Sequence, residues 1–438
     1  MTASARVQHH RRGACPGLST PMPTGDGLLV RLVPIGTIPL AAFAQLCAAA
    51  RTFGNGIIEV TSRGSVQVRG LTAASAPDFA ASVATLGIKA EDGVPVICNA
   101  LAGLDAAEIF DAAAFAADLR RALARQSMAA KLGAKVSVAI DGGGALGLDA
   151  IAADIRLCAQ VVDGAVVLRV AVGGDGTSAA QLGNVVPEHG IESAVRLLDA
   201  IARRGREARA RDIAASVFRS EIAELFIPAR PRESGDPALD SRLGGNERRA
   251  SEPIGQHRLR DGSLACGIGL AFGHADATSL ERLVAAAAAS GASGLRAAPG
   301  RALMVIGLTA ETAAGFIAAA EQLGFIIRPE DIRRRVIACA GAPICASAHI
   351  ASRAIAPRIA AAVASSRYGA FTIHLSGCAK GCAHAAPAAL TVVGTPGGCA
   401  LIANGLARDA PLGVVPADEL PAAIAKYARE HVSVTDHV

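Results

Sequence analysis

Tryptophan is absent from the 438 residues, and aromatic residues make up 3% of a chain that is 51% hydrophobic. Cores must therefore be assembled from Ala, Val, Leu and Ile, which suits helices interleaved with strands. Lysine is almost missing as well. Among 43 basic residues only Lys89, Lys131, Lys135, Lys380 and Lys426 are lysines. Arginine dominance fits recognition of many carboxylates, because the guanidinium fork pairs with them bidentately. It fits equally a compositional bias that also enriches alanine, so each arginine has to be argued singly. The net charge of +5 is too small for a general nucleic-acid binder. Long apolar runs are lacking too: the longest uncharged stretch, about 385 to 407, is broken by "GTPGG" and reads as two short strands around a turn, not a membrane span. "MTASARVQHHRRGACPG" at the start has no apolar signal-peptide core. Ten cysteines are too sparse for a disulfide scaffold. The expectation is a soluble cytoplasmic protein with reduced thiols.

The length allows two to four compact units. Between 229 and 254, "ARPRESGDPALDSRLGGNERRASEPI" loses apolar periodicity and reads as an exposed linker or inserted loop between two halves. The halves resemble each other. "GTIPLAAFAQLCAAARTFGNGIIEVTSRGSVQVRGLTA" predicts a helix with Thr37 as N-cap and Gly54 as stop, then two strands. "ATSLERLVAAAAASGASGLRAAPGRALMVIGLTA" repeats that order 237 positions later, both copies ending in V-x-G-L-T-A. A weaker pair sets "KVSVAIDGGG" against "FTIHLSGCAKGC", each a strand running into a glycine-rich loop. A pseudo-twofold α+β protein follows, with a site where the halves face each other.

Four cysteines stand out: Cys339-x5-Cys345 in "ACAGAPICASAH" and Cys378-x3-Cys382 in "SGCAKGCAH". Structural zinc favours two ligands on a tight knuckle of two to four intervening residues. The wider x5 spacing, with an apparent helix from about 346, points to a larger object, and a [4Fe–4S] cluster is the leading reading over zinc or no metal. Gly341, Gly377 and Gly381 allow close backbone approach, and Lys380 adds positive charge beside an anionic cluster. Cys15, Cys47, Cys98, Cys158, Cys266 and Cys399 stand alone, as small hydrophobes or spare thiols. On "FTIHLSG", His374 lies opposite the apolar face and either meets a ligand or is hydrogen-bonded at a strand end. His384, and more weakly His257, His274 and His349, are candidates of the same kind.

The pattern A-C-x-G-x-P-x-C at 338 to 345 followed by G-C-x3-C at 377 to 382 resembles the sulfite and nitrite reductase superfamily. "EVTSRGSVQVRG" resembles its strand that meets tetrapyrrole carboxylates, and "LGAKVSVAIDGGG" its lysine-bearing strand before a glycine turn. The resemblance implies a pseudo-twofold fold with two ferredoxin-like half-domains (8–100 and 255–325) and two α/β domains (101–228 and the cluster-binding 326–438), joined through 229–254. It also implies a [4Fe–4S] cluster on Cys339, Cys345, Cys378 and Cys382, and tetrapyrrole carboxylates met by Arg63 and Lys135 on the two matching strands. Period-two counting puts Arg63 and Arg69, six apart, on one face where they could clamp two carboxylates, and Arg31, Lys135 and Arg296 lie in or beside the corresponding strands of the two repeats, so Arg63, Arg69, Lys135 and Arg296 are the expected substrate-binding residues.

This sequence departs from the reductases in two places. Ala379-Lys380 stands where they carry Pro-Asn, and Ser137 stands where a second basic residue follows the lysine. "RRGACPGLSTPMPTGDGLLVRL", "NALAGLD" and "HLSGCAKGCAH" are together more similar to the precorrin-3B synthase branch. That branch implies hydroxylation of precorrin-3A at C20 with γ-lactone closure in aerobic cobalamin biosynthesis. It further implies dioxygen as co-substrate, an electron donor drawing on NADH, and a mononuclear non-haem iron beside the cluster. The alternatives are a siroheme-dependent sulfite or nitrite reductase, and an iron–sulfur carrier without a substrate of its own.

Overall fold

Apolar residues alternate along "LLVRL" and "VQVRGL" and recur at helical spacing along "LAAFAQLCAAARTF", so a sheet with one buried face and a helix to cover it are written locally. The computed structural model, which describes residues 16–228, 252–364, 371–384 and 386–431, realises this unit twice. The first copy runs strand Gly27–Leu32, helix Leu40–Phe53, strands Ile57–Val60 and Val66–Leu71, and helix Ser75–Ala84. The second runs strand Leu264–Gly269, helix Ala277–Ala289, strands Gly294–Ala298 and Ala302–Leu308, and helix Ala310–Gln322. The 237-position offset is kept by the strand starts (27 to 264, 57 to 294), so the repeat is structural.

Both copies share one hydrophobic core. Phe43, Leu46 and Phe79 from the first and Leu280, Leu283 and Phe316 from the second are each fully buried within it. Alanines at 42, 49, 50, 277 and 287 line the buried faces of the two long helices, so the alanine-rich composition becomes close helix packing. The copies are also laced together. Ala275, in strand His274–Asp276, pairs with Ile58, while Ile38 pairs with Leu295. These two pairings are images of one another under the same offset. Arg63 pairs with Pro299 where the two hairpin turns meet.

Each copy is followed by a five-stranded α/β module. The first orders Val96–Cys98, Val138–Asp141, Ala153–Val162, Ala165–Gly174 and Ala180–Val185; the second orders Val336–Ala338, Ile373–Ser376, Ala388–Thr395, Gly398–Gly405 and Gly413–Val415. In both, the first two pairings are parallel and the last two antiparallel. Register is conserved as well: Ala139 faces Arg156 in the first module and His374 faces Thr391 in the second. The central strands Val138–Asp141 and Ile373–Ser376 are buried at every residue, as parallel strands covered on both faces must be.

Gly54 does cap its helix, its N–H bonding Ala50. Thr37 does not start that helix: the N-cap is Pro39, and the Thr37 hydroxyl instead accepts from Arg296 Nε at 2.8 Å. The helix expected from about 346 begins at Ser352, because the chain after Cys345 is held in turns (Cys345 N to Gly341 O, 2.8 Å; Ala348 N to Cys345 O, 2.9 Å). The uncharged stretch is a hairpin of Ala388–Thr395 and Gly398–Gly405. Of the segment 229–254, residues 229–251 lie outside the described residues, as does Cys15; Ile254 is buried with Ala265, Met304 and Ile326. Among the described residues no helix is long and apolar enough to cross a membrane.

Candidate active site

Parallel pairing brings the two cysteine loops together. Strands Val336–Ala338 and Ile373–Ser376 lie side by side, so the loops leaving their carboxyl ends emerge at one edge, carrying Cys339 and Cys378. Contact between the loops demands glycine. A Cβ on Gly377 would lie 2.5 Å from the Ala348 Cβ, and one on Gly341, at φ 68°, would lie 2.3 Å from the Ser352 nitrogen. The Gly377 N–H donates to Cys339 Sγ at 3.0 Å, and the Ser352 hydroxyl lies 3.6 Å from the same sulfur. Burial pushes the Cys382 thiol above its ordinary range; Cys339 and Cys378 push the same way, while Arg69 and Lys380 oppose them. Cys345 sits against the first half: a Cβ on Gly25 would lie 2.3 Å from its Sγ, and Ala346 N donates to Gly25 O at 2.9 Å.

The isolated cysteines behave differently. Cys47, Cys266 and Cys399 are buried in cores, and burial raises the Cys266 thiol to about 11. Cys98 and Cys158 are partly buried and raised by the same cause.

A basic wall faces the loops from the first half. Arg69 grips Asp26 with Nε at 2.8 Å and Nη2 at 2.7 Å, and its Nη1 lies 3.5 Å from Glu59. Burial opposes the charge on Arg69, and the two carboxylates more than restore it. Glu59 also pairs with Arg353, near the start of helix Ser352–Val363. With its amide turned to satisfy both ends, Gln67 donates to Glu59 at 3.0 Å and accepts from Arg31 at 2.6 and 2.8 Å.

The three arginines and the lysine expected to bind substrate serve different neighbours. Arg63 lies in the turn before strand Val66–Leu71, is exposed, and donates to the Ala152 carbonyl at 3.1 Å. Arg69 is held by carboxylates beside Cys382. Lys135 is exposed ahead of strand Val138–Asp141. Arg296 ties the halves together, donating to Thr37 and to the carbonyls of Ala100 (3.1 Å) and Ala102 (2.9 Å).

His374 is fully buried and stands edge-on to His384, ring centroids 5.7 Å apart; neither of its ring nitrogens has a hydrogen-bond partner. Burial, then His384 and Arg301, lowers its pKa to about 4. In the first module Ala139 stands at the position of His374, and its strand partner Arg156, at the position of Thr391, satisfies its own loop through the carbonyls of Ile151 and Leu148. His274 is likewise lowered to about 4, by burial and then Arg353. His257 contacts the Pro253 carbonyl at 3.2 Å, and His349 is exposed.

Sequence reasoning missed Gly25, Asp26, Glu59, Arg301 and Arg353. Arg301 adopts φ 63° at the repeat position of Gly64 (φ 77°) and donates to Ala383, between Cys382 and His384. A non-glycine residue held in that region is a recognised mark of functional sites.

Comparison with known proteins agrees with this architecture. Residues 20–86 match the nitrite/sulfite reductase ferredoxin-like half domain. A precorrin-3B synthase from Sinorhizobium sp. is 38% identical over 427 residues, covering 97% of this chain and 89% of that protein. The chain belongs to the precorrin-3B synthase family. It is an enzyme of the oxidoreductase type, as the sequence analysis expected. The NirA protein of Mycobacterium tuberculosis shares the fold, with a TM-score of 0.72 at 21% identity over 93% of this chain and 82% of that one. The pseudo-twofold α+β reductase-like architecture expected from the cysteine and strand motifs is thus the one observed.

Proposed function

We propose that the chain hydroxylates precorrin-3A at C20 and closes a γ-lactone with the ring A acetate, giving precorrin-3B. Family membership over 97% of the chain carries this reading. One atom of dioxygen enters the product and the other leaves as water, so the reaction consumes two electrons and two protons, the electrons coming from a donor that draws on NADH.

Cys339, Cys345, Cys378 and Cys382 are proposed to hold a [4Fe–4S] cluster. The donor set fits: four thiols on two glycine-rich loops, one sulfur already accepting a backbone N–H, with the positive charges of Arg69 and Lys380 bearing on Cys382. Among the described residues no group of three His, Cys, Asp or Glu side chains is placed to hold one metal ion. That is compatible with a cubane, whose thiolates bind separate irons. When bound, the cluster supplies single-electron transfer. The mononuclear non-haem iron that the resemblance implies is a different matter. It needs a convergent donor set, and the charge that bears on both His374 and His384 is the Arg301 cation, with no carboxylate completing a triad among the described residues. The residues there do not fit it, and no step is assigned to it.

The substrate carries acetate and propionate groups around its rim. The exposure of Arg63 and Lys135 supports their meeting these carboxylates. Arg69 and Arg296, engaged with Asp26 and with Thr37, Ala100 and Ala102, shape the wall instead. A cytoplasmic location is part of the same proposal.

The test is anaerobic purification with iron and sulfide assays, then incubation with precorrin-3A, a reductant and isotopically heavy dioxygen. A product heavier by one labelled oxygen is expected. Bound siroheme, recognised by its sharp visible bands, with sulfite or nitrite turnover and no oxygenated product, would replace this reading with the reductase.

A further inference from the structure

We propose that Arg353 raises the reduction potential of the cluster, presenting its positive charge and its uncommitted N–H groups to the sulfur cage beside Cys339, and that Glu59 is the residue that positions it. This deepens the cluster reading and rests on it.

Arg353 follows Ser352, the first residue of helix Ser352–Val363, and the Ser352 hydroxyl lies 3.6 Å from Cys339 Sγ. The first turn of that helix therefore abuts the cysteine loop. The Arg353 side chain is 11% exposed, and only Nη2 is engaged, on Glu59. Its Nε and Nη1 are buried and find no hydrogen-bond partner. Idle buried donors on a charged group are costly, so an arrangement that keeps them calls for an acceptor. The nearby carboxylates are already engaged: Asp26 is gripped by Arg69, and Glu59 is shared between Arg69 and Arg353. Sulfur remains. Burial works against the guanidinium, and a negative charge at Cys339 supports it. Arg69 supplies like charge at Cys382, but its fork is closed on Asp26, so Arg353 is the cation with donors to give. A reduced cluster carries one more negative charge than the oxidised one, so an N–H donor and a fixed cation favour reduction.

The experiment is an anaerobic redox titration of the full-length holoprotein, followed by the electron paramagnetic resonance of the reduced cluster, on wild type, R353K and R353M. R353M is expected to shift the oxidised-to-reduced ratio at a fixed potential about tenfold toward oxidised, equivalent to ~59 mV for a one-electron couple. R353K, which keeps the charge but loses the fork, should fall between. A measurement on intact protein covers the case in which R353M fails to load. With arginine labelled by nitrogen-15, hyperfine spectra of the reduced wild type should show a nitrogen coupling that R353K lacks. An R353M protein with full iron and sulfide and an unchanged potential overturns the proposal, as does a wild type without that coupling. Unchanged potential with weakened precorrin-3A binding would assign Arg353 to a substrate carboxylate instead, which also overturns it. Wild-type protein devoid of iron and sulfide sinks the cluster reading itself and this inference with it.

Discussion

Replacing Asp26 by Asn probes the wall at its most buried point. The Asp26 side chain is 1% exposed and that of Arg69 12%. Asp26 accepts from Arg69 Nε and Nη2 and from the Thr24 hydroxyl at 2.7 Å. Asparagine keeps the shape but turns one acceptor into a donor facing the guanidinium, which breaks the fork. Removing one partner of a buried pair costs about 3–5 kcal/mol when the other charge is left uncompensated. Here Glu59, 3.5 Å from Arg69, compensates in part. The expected loss is therefore about 2–3 kcal/mol in urea unfolding at neutral pH. Cluster content should fall too, because the hairpin that carries Asp26 places Gly25 against Cys345. The D26N/R69M double variant should lose less than the two single losses added. The pH dependence has a fixed sign. Burial raises the Asp26 carboxyl, but the Arg69 and Thr24 hydrogen bonds outweigh it and hold its pKa below 3.8. Its contribution is thus present above about pH 3.8 and is lost as pH falls through the lower folded value. A D26N protein within about 0.5 kcal/mol of wild type, with full iron and sulfide, would refute the reasoning.

Gly377→Ala should keep the circular dichroism of the fold while lowering iron and sulfide, since its Cβ would sit 2.5 Å from that of Ala348 and force the two loops apart; normal loading would count against the loop geometry. Cys378→Ser should cost most of the iron and sulfide whereas Cys399→Ser, in the buried core of the same module, should cost none, and the two assays run side by side decide it. For His374, the folded pKa of about 4 lies below the ordinary 6.5, with burial as the first cause. The unfolded chain alone takes the proton in that window, so stability should fall by about 3 kcal/mol as pH drops from 6.5 to about 4 and then level off. His274 titrates in the same window, so the quantity to measure is the difference between wild type and H374Q; identical pH profiles would show that His374 is not held neutral.

Much of the fold was legible because its information is local. The helix of "LAAFAQLCAAARTF" and the strand of "VQVRGL" declare their buried faces by period, and the V-x-G-L-T-A copies lie in matching strands. The cysteine loops were visible by spacing and glycine content. The helix starts at Ser352 and not near 346 because alanine-rich sequence has helical propensity whether or not turns capture it, and here the Gly341 and Gly377 contacts do.

The amino-acid sequence alone determined the pseudo-twofold order of elements, the two cysteine loops and the resemblance to the precorrin-3B synthases, since periodicity and short motifs act within a few residues of themselves. Which arginine meets which partner was decided only by the tertiary structure. Arg69 finds Asp26 across 43 positions and Arg353 finds Glu59 across 294, so no local pattern announces either pair. Arg63 and Arg69, a natural clamp by strand counting, part company because Arg63 belongs to the turn and Arg69 to the strand. The burial of His374 follows the same logic: a strand's period tells which side a residue takes, and only the packing of the second sheet determines whether that side meets solvent, a partner or a buried neighbour.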